Sequence, residues 1–146
     1  MLEKINADIV SAMKEHDTLK LSTLRLLKGA VDLERINKRV DKLNDDDIIA
    51  IIAKQIKTRK ESIVEFERGN RQDLIDKTNS EIEILSAYMP EQIGEEELSN
   101  IIEQAIKEVN ATTIKDMGSV MKIVSSKVKG RADMQQVSSI IKSKLN

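Results

Sequence analysis

The chain has 146 residues, of which 40% are apolar and 34% are charged, and its formal net charge is −1. It contains no cysteine, which excludes disulfides, thiolate metal ligands and thiol nucleophiles. Aromatic residues are typical of strands, and the chain has only one Tyr and one Phe, so its composition predicts an all-α protein. Its length fits one domain or two small ones.

The N-terminal stretch MLEKINADIV carries acidic residues and lacks the apolar core of a signal peptide. No apolar run elsewhere approaches the ~20 residues that span a bilayer. A cysteine-free chain also suits a reducing compartment. These features predict a cytoplasmic protein that does not associate with membranes.

Apolar residues at helical spacing predict four helices before Pro90. The first is short and covers about Leu2 to Met13. The apolar positions of the next three are, in chain order, Leu21, Leu24, Leu27 and Val31; Ile49, Ile52, Ile56, Ile63 and Phe66; and Ile75, Ile82, Leu85 and Met89. The last two helices, at about 45–68 and 71–88, are separated by a tight joint at Gly69 and Asn70, which predicts a long antiparallel hairpin.

Three shorter amphipathic helices are predicted after Pro90. Their apolar stripes are Leu98, Ile102, Ala105 and Val109; Met117, Val120, Met121 and Val124; and Val137, Ile140, Ile141 and Leu145. The sequence therefore predicts an N-terminal α-helical domain at 1–90, with about four helices, and a C-terminal three-helix domain at 91–146. The hinge between them is Met89-Pro90-Glu91.

Helix starts are marked by a capping residue followed three positions later by an acid or an amide. The pairs are Asn44 with Asp47, Asn70 with Asp73, Thr113 with Asp116, and Asp133 with Gln136, and Gly94 with Glu97 is a weaker version. Gly69 and Gly130 are predicted to end the preceding helices.

No reaction centre is visible in the sequence. The single histidine, His16, stands between two acids at a predicted helix junction, where a solvated side chain is expected. Asp45-Asp46-Asp47 occupies a helix first turn, where acids are stabilised by the helix dipole. Ser125-Ser126-Lys127 resembles the serine and lysine residues of amidase active sites only superficially, because consecutive helical residues point in different directions. We therefore predict no catalytic residue, no metal site and no cofactor.

Charge is unevenly distributed in the C-terminal region. Residues 91–110 contain six acids and one base, a net −5, whereas residues 111–146 contain seven bases and two acids, a net +5. The stretch Lys127-Val-Lys-Gly-Arg-Ala-Asp133 places three cations around a predicted helix break.

These cations have two possible roles. They can bind a sugar-phosphate backbone together with the exposed amides of the next helix, or they can neutralise the carboxyl end of the preceding helix. Their spacing alone favours neither role. The candidate nucleic-acid-binding residues are Lys122, Lys127, Lys129, Gly130 and Arg131.

A family resemblance covers essentially the whole chain. The segments TLRLLKGAVDLE, RQDLIDKTNSEIEILSAYMPEQI, KDMGSVMKIVSSKVKGRAD and VSSIIKSKL resemble the YqeY family. The C-terminal part is also similar to the tail domain of GatB, the tRNA-binding subunit of the glutamyl/aspartyl-tRNA amidotransferase. The matching positions are Gly118, Val120, Met121 and Lys122, then Lys129, Gly130 and Ala132, then Val137, Ile140 and Ile141. This chain departs after the alanine, where Asp133-Met134 replaces the usual Asn-Pro.

The resemblance implies an accessory module that binds tRNA beside an aminoacyl-tRNA synthetase or amidotransferase. It also brings a family association with carbon–nitrogen ligase activity that uses glutamine as amide donor. The residues of this chain give that chemistry no separate support. The alternative function is a protein-interaction module that uses the helical hairpin and has no RNA role.

Gly118 lies within a predicted helix, and we expect it to mark a close approach of another helix.

Overall fold

The computed structural model describes residues 1–145, and within that range the secondary structure is helical with no strand. The α-helices are α1 (Leu2–Lys14), α2 (Thr18–Lys38), α3 (Asp45–Arg68), α4 (Gln72–Ser86), α5 (Glu95–Val109), α6 (Met117–Val128) and α7 (Met134–Leu145), with a 3₁₀ turn at Ile114–Asp116 before α6. The prediction of an all-α fold is confirmed.

The chain divides into two compact units, Met1–Met89 and Pro90–Asn146. Each unit has a separate aliphatic core. The core of the first is formed by Ile5, Leu24, Leu27, Val31, Leu43, Ile48, Ile52, Leu85 and Tyr88. The core of the second is formed by Leu98, Ile102, Ala105, Val120, Val124, Val128, Val137, Ile141 and Leu145. The division into an N-terminal domain at 1–90 and a C-terminal domain at 91–146 stays a prediction.

The N-terminal unit is organised around α2, which packs against α1, α3 and α4. Leu24 and Leu27 on this helix are completely buried. The helices α3 and α4 pack along each other. The short connection that follows Arg68 joins them. An ion pair between Arg59 Nε and Glu81 Oε2, at 3.1 Å, lies across this pair of helices. Both of its side chains are mostly buried.

The helix caps follow the predicted pattern only in part. The side chain of Asn44 accepts a hydrogen bond from the Asp47 amide at 2.8 Å, and Thr113 and Asp116 form a reciprocal capping box. The prediction that Asn70 caps α4 is wrong. Asn70 has a left-handed backbone with φ of 54°, and the position before α4 is occupied by Arg71 without a side-chain cap. The chain must reverse directly after Gly69, and asparagine tolerates the left-handed conformation that this reversal requires.

A polar cluster joins α1 to the residues that follow α4. The Tyr88 hydroxyl donates to Asp8 Oδ2, and Lys4 Nζ lies 3.2 Å from the same oxygen. The Lys4 ammonium also lies 5.8 Å from the centroid of the Tyr88 ring. The hydrogen bond from Tyr88, followed by the contact with Lys4, holds the pKa of Asp8 below its usual value. Burial and the bond to Asp8 together raise the pKa of Tyr88.

The second unit packs α5, α6 and α7 against one another. Gly118, in the first turn of α6, is exposed, and a β-carbon added there would meet no atom within 4 Å. The expectation that Gly118 marks a close helix approach is therefore wrong. A glycine in a helix indicates a close contact only when a neighbour occupies the space of the missing side chain, and here no atom of the described residues does so.

We expect Gly118→Ala to raise the free energy of unfolding by up to about 1 kcal/mol, since alanine loses less backbone entropy in a helix and the site is open. Urea unfolding followed by circular dichroism measures the change. Gly94→Ala is the matched control. Gly94 is the N-cap of α5, with open space around its Cα, and alanine is a poor N-cap, so this variant should gain nothing. A loss of stability in Gly118→Ala would contradict the open site.

We expect Tyr88→Phe to lower the free energy of unfolding by about 1 kcal/mol at neutral pH, because the partly solvated Asp8 carboxylate loses a donor. The folded pKa of Asp8 lies below its unfolded value of about 3.9, so this stabilisation is present above about pH 4 and is lost as the pH falls through the folded pKa. Urea unfolding at a series of pH values should show a shallower acid dependence in the variant. Identical acid dependence in the variant and the parent protein would refute the role of the hydrogen bond.

We also expect residues 90–146 to fold alone as a three-helix unit, because they close their own aliphatic core. Thermal melting by circular dichroism and amide NMR spectra of this segment provide the measurement. Cooperative melting with dispersed resonances is the expected result. A non-cooperative melt would show that the segment depends on the rest of the chain.

Candidate nucleic-acid interface

The turn between α6 and α7 is formed by two successive residues with positive φ. Lys129, directly after α6, has φ of 34°, and Gly130 has φ of 82°. The Lys129 amide donates to the Ser125 carbonyl at 3.2 Å, and the Arg131 amide donates to the Val128 carbonyl at 2.7 Å. The helix α6 therefore ends at Val128, two residues before the predicted Gly130, and Lys129 is its C-cap. Glycine suits the second position because it has no side chain to clash in this conformation.

The start of α7 is also capped. The side chain of Asp133 accepts a hydrogen bond from the Gln135 amide at 2.9 Å. The prediction that Asp133 caps this helix is confirmed, although the bonded amide is that of Gln135.

Arg131 anchors this turn to the segment that follows Pro90. Its Nε donates to the Glu91 carbonyl at 2.9 Å, and its own carbonyl accepts from the Ile93 amide at 2.9 Å. The Gln92 side chain donates to the Gly130 carbonyl at 3.2 Å. Arg131 is therefore a structural residue, whatever else it contacts. No local sequence pattern indicates this role, because the partners are about 40 positions apart.

The predicted cations do not all lie on one surface. Lys122 and Lys127 both belong to α6 and lie about 140° apart around its axis. Lys127 Nζ instead lies 3.4 Å from Glu108 Oε1 on α5. Lys122 and Lys127 therefore lie on different sides of α6, and Lys129 stands beyond its end, at the left-handed turn. Both Lys122 and Lys129 are exposed, and Lys122 forms no ion pair with any residue in 1–145.

Acidic residues of α5 partly balance the basic charge of α6 and α7. Besides the contact of Lys127, Lys144 Nζ lies 2.8 Å from Glu103 Oε1, and this hydrogen bond holds the pKa of Glu103 below its usual value. The opposite net charges of residues 91–110 and 111–146 are therefore partly satisfied within the unit. The charge sums alone could not show which lysines remain exposed to a ligand.

Other candidate reactive groups have ordinary structural roles. His16 is exposed at the junction of α1 and α2 and has a left-handed backbone with φ of 56°. Asp47 in the first turn of α3 pairs with Lys38 at 2.8 Å. Within residues 1–145, no group of three or more potential ligands is arranged to hold a metal ion. In the same range, no helix combines the length and apolarity needed to cross a membrane.

Curated relatives of the chain include several fungal proteins named altered inheritance of mitochondria protein 41, mitochondrial. The Pyrenophora tritici-repentis protein is 32% identical over 94% of this chain and 77% of its own length. The Kluyveromyces lactis protein is 32% identical over 58% of this chain and 45% of its own length. A Saccharomyces cerevisiae protein is 25% identical over 91% of this chain and 70% of its own length.

These names contradict the predicted cytoplasmic location, because they assign the relatives to mitochondria. The prediction is wrong for a physical reason. A chain without cysteine suits any reducing compartment, and the composition of a folded domain does not specify which one.

A sequence profile described as Yqey-like protein matches residues 2–145, which is nearly the whole chain. The chain therefore belongs to the YqeY family.

Proposed function

We propose that the C-terminal unit binds the sugar-phosphate backbone of tRNA, and that the protein is an accessory module for an aminoacyl-tRNA synthetase or amidotransferase. The observation that carries the proposal is the placement of Lys122 and Lys129. Both side chains are exposed, Lys122 on α6 and Lys129 at the turn that leads into α7. Lysine donors beside a turn and a helix start suit phosphate oxygens, which are arranged along a backbone at regular intervals.

The likeness to the GatB tail supports this proposal at particular positions. Val120, Val137 and Ile141 of the shared pattern are completely buried, so they account for the common helical packing. Lys122 and Lys129 of the same pattern are exposed and make no contribution to that core. A pattern that combines core positions with exposed lysines is expected when a fold carries a binding surface for an anion.

Contact with phosphates predicts affinity without strong sequence preference. Phosphate contacts position a protein on a nucleic acid, whereas base contacts provide the specificity. The choice of tRNA would then come from the partner enzyme. The same partner would supply the amide-transfer chemistry associated with the family, since we assign no catalytic residue to this chain.

The test is the double substitution Lys122→Ala/Lys129→Ala, with bulk tRNA as the probe. Fluorescence anisotropy across a salt series measures affinity and its salt dependence. We expect weaker binding, and the slope of log affinity against log salt should shrink by roughly 0.7–0.9 for each phosphate that the variant no longer neutralises. Lys57→Ala/Lys60→Ala, which removes two exposed lysines from α3, is the matched control and should bind as the parent protein does.

Two further variants separate phosphate contact from structural support. Lys127→Ala should change tRNA affinity less than Lys122→Ala, because Lys127 is paired with Glu108. Arg131→Ala should lower the stability of the C-terminal unit because its hydrogen bond to the Glu91 carbonyl is removed, so its binding is interpreted only beside its melting curve. Unchanged tRNA binding by the folded Lys122/Lys129 variant, or no binding by the parent protein, would overturn the proposal.

A further inference from the structure

The helix α2 is apolar on two opposite sides. Leu24 and Leu27 on one side are buried in the core of the N-terminal unit. Leu26, Leu33 and Ile36 on the other side are 63%, 60% and 60% exposed. Leu26 lies about 200° around the axis from Leu24, so the exposed residues cannot belong to the core stripe. Packing within this unit does not explain them.

A groove between α1 and α2 adjoins the exposed stripe. It has a volume of about 410 Å³ and is lined mainly by Asn6, Ile9, Val10, Arg25, Lys28 and Gly29. Val10 and Met13 extend the apolar surface onto α1, since each is about half exposed. A β-carbon added at Gly29 would meet no atom within 4 Å, so this glycine leaves an open notch in the helix surface. We refer to the groove and the exposed stripe together as the α1/α2 face.

We propose that the α1/α2 face docks an amphipathic helix of a partner protein, and that this helix carries acidic residues beside its apolar stripe. The proposed surface belongs to the N-terminal unit and does not depend on RNA binding. The surface is also distinct from the hairpin of α3 and α4. That hairpin offers little exposed apolar surface, because Val64 is its only strongly exposed large apolar residue.

The spacing of the exposed residues favours a helix as the occupant. Leu26 and Leu33 are seven residues apart, as are Gly29 and Ile36, which is the heptad spacing of a helix-packing seam. A large side chain of an incoming helix can enter the notch at Gly29, between Leu26 and Leu33. Helices that dock into grooves commonly use apolar anchors at this spacing.

The charge around the α1/α2 face favours acidic residues on the partner. Arg25 and Lys28 line the groove and are exposed, and Asp32 is the one acid beside them. Over the whole of α2 there are five cations and two acids, a net +3. Complementary charge at the edge of an apolar contact selects the partner and its orientation.

The same charges disfavour a second copy of the chain as the occupant. A twofold pair of α2 helices would place each cationic edge against its own copy. Arg25 and Lys28 would then face mostly like charges, with only Asp32 to offset them.

The test is a display library of helical peptides of about five turns, with apolar residues at heptad spacing and random residues at the flanking positions. The library is selected against the immobilised full chain. We expect Asp and Glu to be enriched at the flanking positions. Affinities of the selected peptides are then measured by isothermal titration calorimetry against the parent protein and its variants.

The informative variant is Arg25→Glu/Lys28→Glu, which we expect to weaken the selected peptides by at least roughly tenfold, because attraction is replaced by repulsion. Lys57→Glu/Lys60→Glu on α3 makes the same change in net charge away from the groove and should leave affinity unchanged. Gly29→Gln fills the notch while improving helix propensity, so it should keep the fold and weaken the peptides.

Each remaining outcome overturns the proposal. One is enrichment of Lys and Arg, or of no flanking residue, at the randomised positions. Another is selected peptides that bind the Arg25/Lys28 and Gly29 variants as well as the parent protein. Sedimentation that shows self-association in the parent protein but not in Leu33→Ser would assign the α1/α2 face to a second copy instead. Cosedimentation with anionic lipid vesicles that is abolished in the same variant would assign it to a membrane surface.

Discussion

Burial of narrow aliphatic stripes is the constraint on which both units depend. With a single tyrosine in the core of the first unit and no aromatic residue in that of the second, Leu, Ile and Val must supply almost all of the apolar surface that folding removes from water. Each fully buried side chain of this kind stabilises the fold by about 1.5–3 kcal/mol relative to an exposed one. Such a core requires helices that pack along much of their length, which explains why α2 and α6 each contact several neighbours.

Polar contacts then determine which charges remain available at the surface. The pair of Lys127 with Glu108 is largely exposed and contributes little to stability, about 0–1 kcal/mol. Its main consequence is spatial, because it directs one cation towards α5, away from Lys122 on another side of α6. The α1/α2 face of the other unit would recognise different chemistry, since it combines an apolar groove with a cationic edge.

The sequence by itself determined the helical fold class, the positions of the helices to within a few residues, and several caps such as Asn44 and Asp133. These properties depend on neighbouring residues along the chain, and local periodicity and capping chemistry report them directly. Family membership is recorded in the same way, by residues distributed over nearly the whole length.

Only the tertiary structure decided which groups meet across distant positions. Tyr88 bonds to Asp8, 80 positions away, and Arg131 to Glu91, 40 positions away, and no local pattern encodes either contact. The open space at Gly118 and the exposed apolar side of α2 could not be predicted from the sequence for a related reason. Helical periodicity assigns residues to faces of a helix, but which face is covered depends on how many neighbours pack against it. Leu24 and Leu26 are the same residue type two positions apart, and the packing of α1, α3 and α4 alone makes one of them core and the other surface.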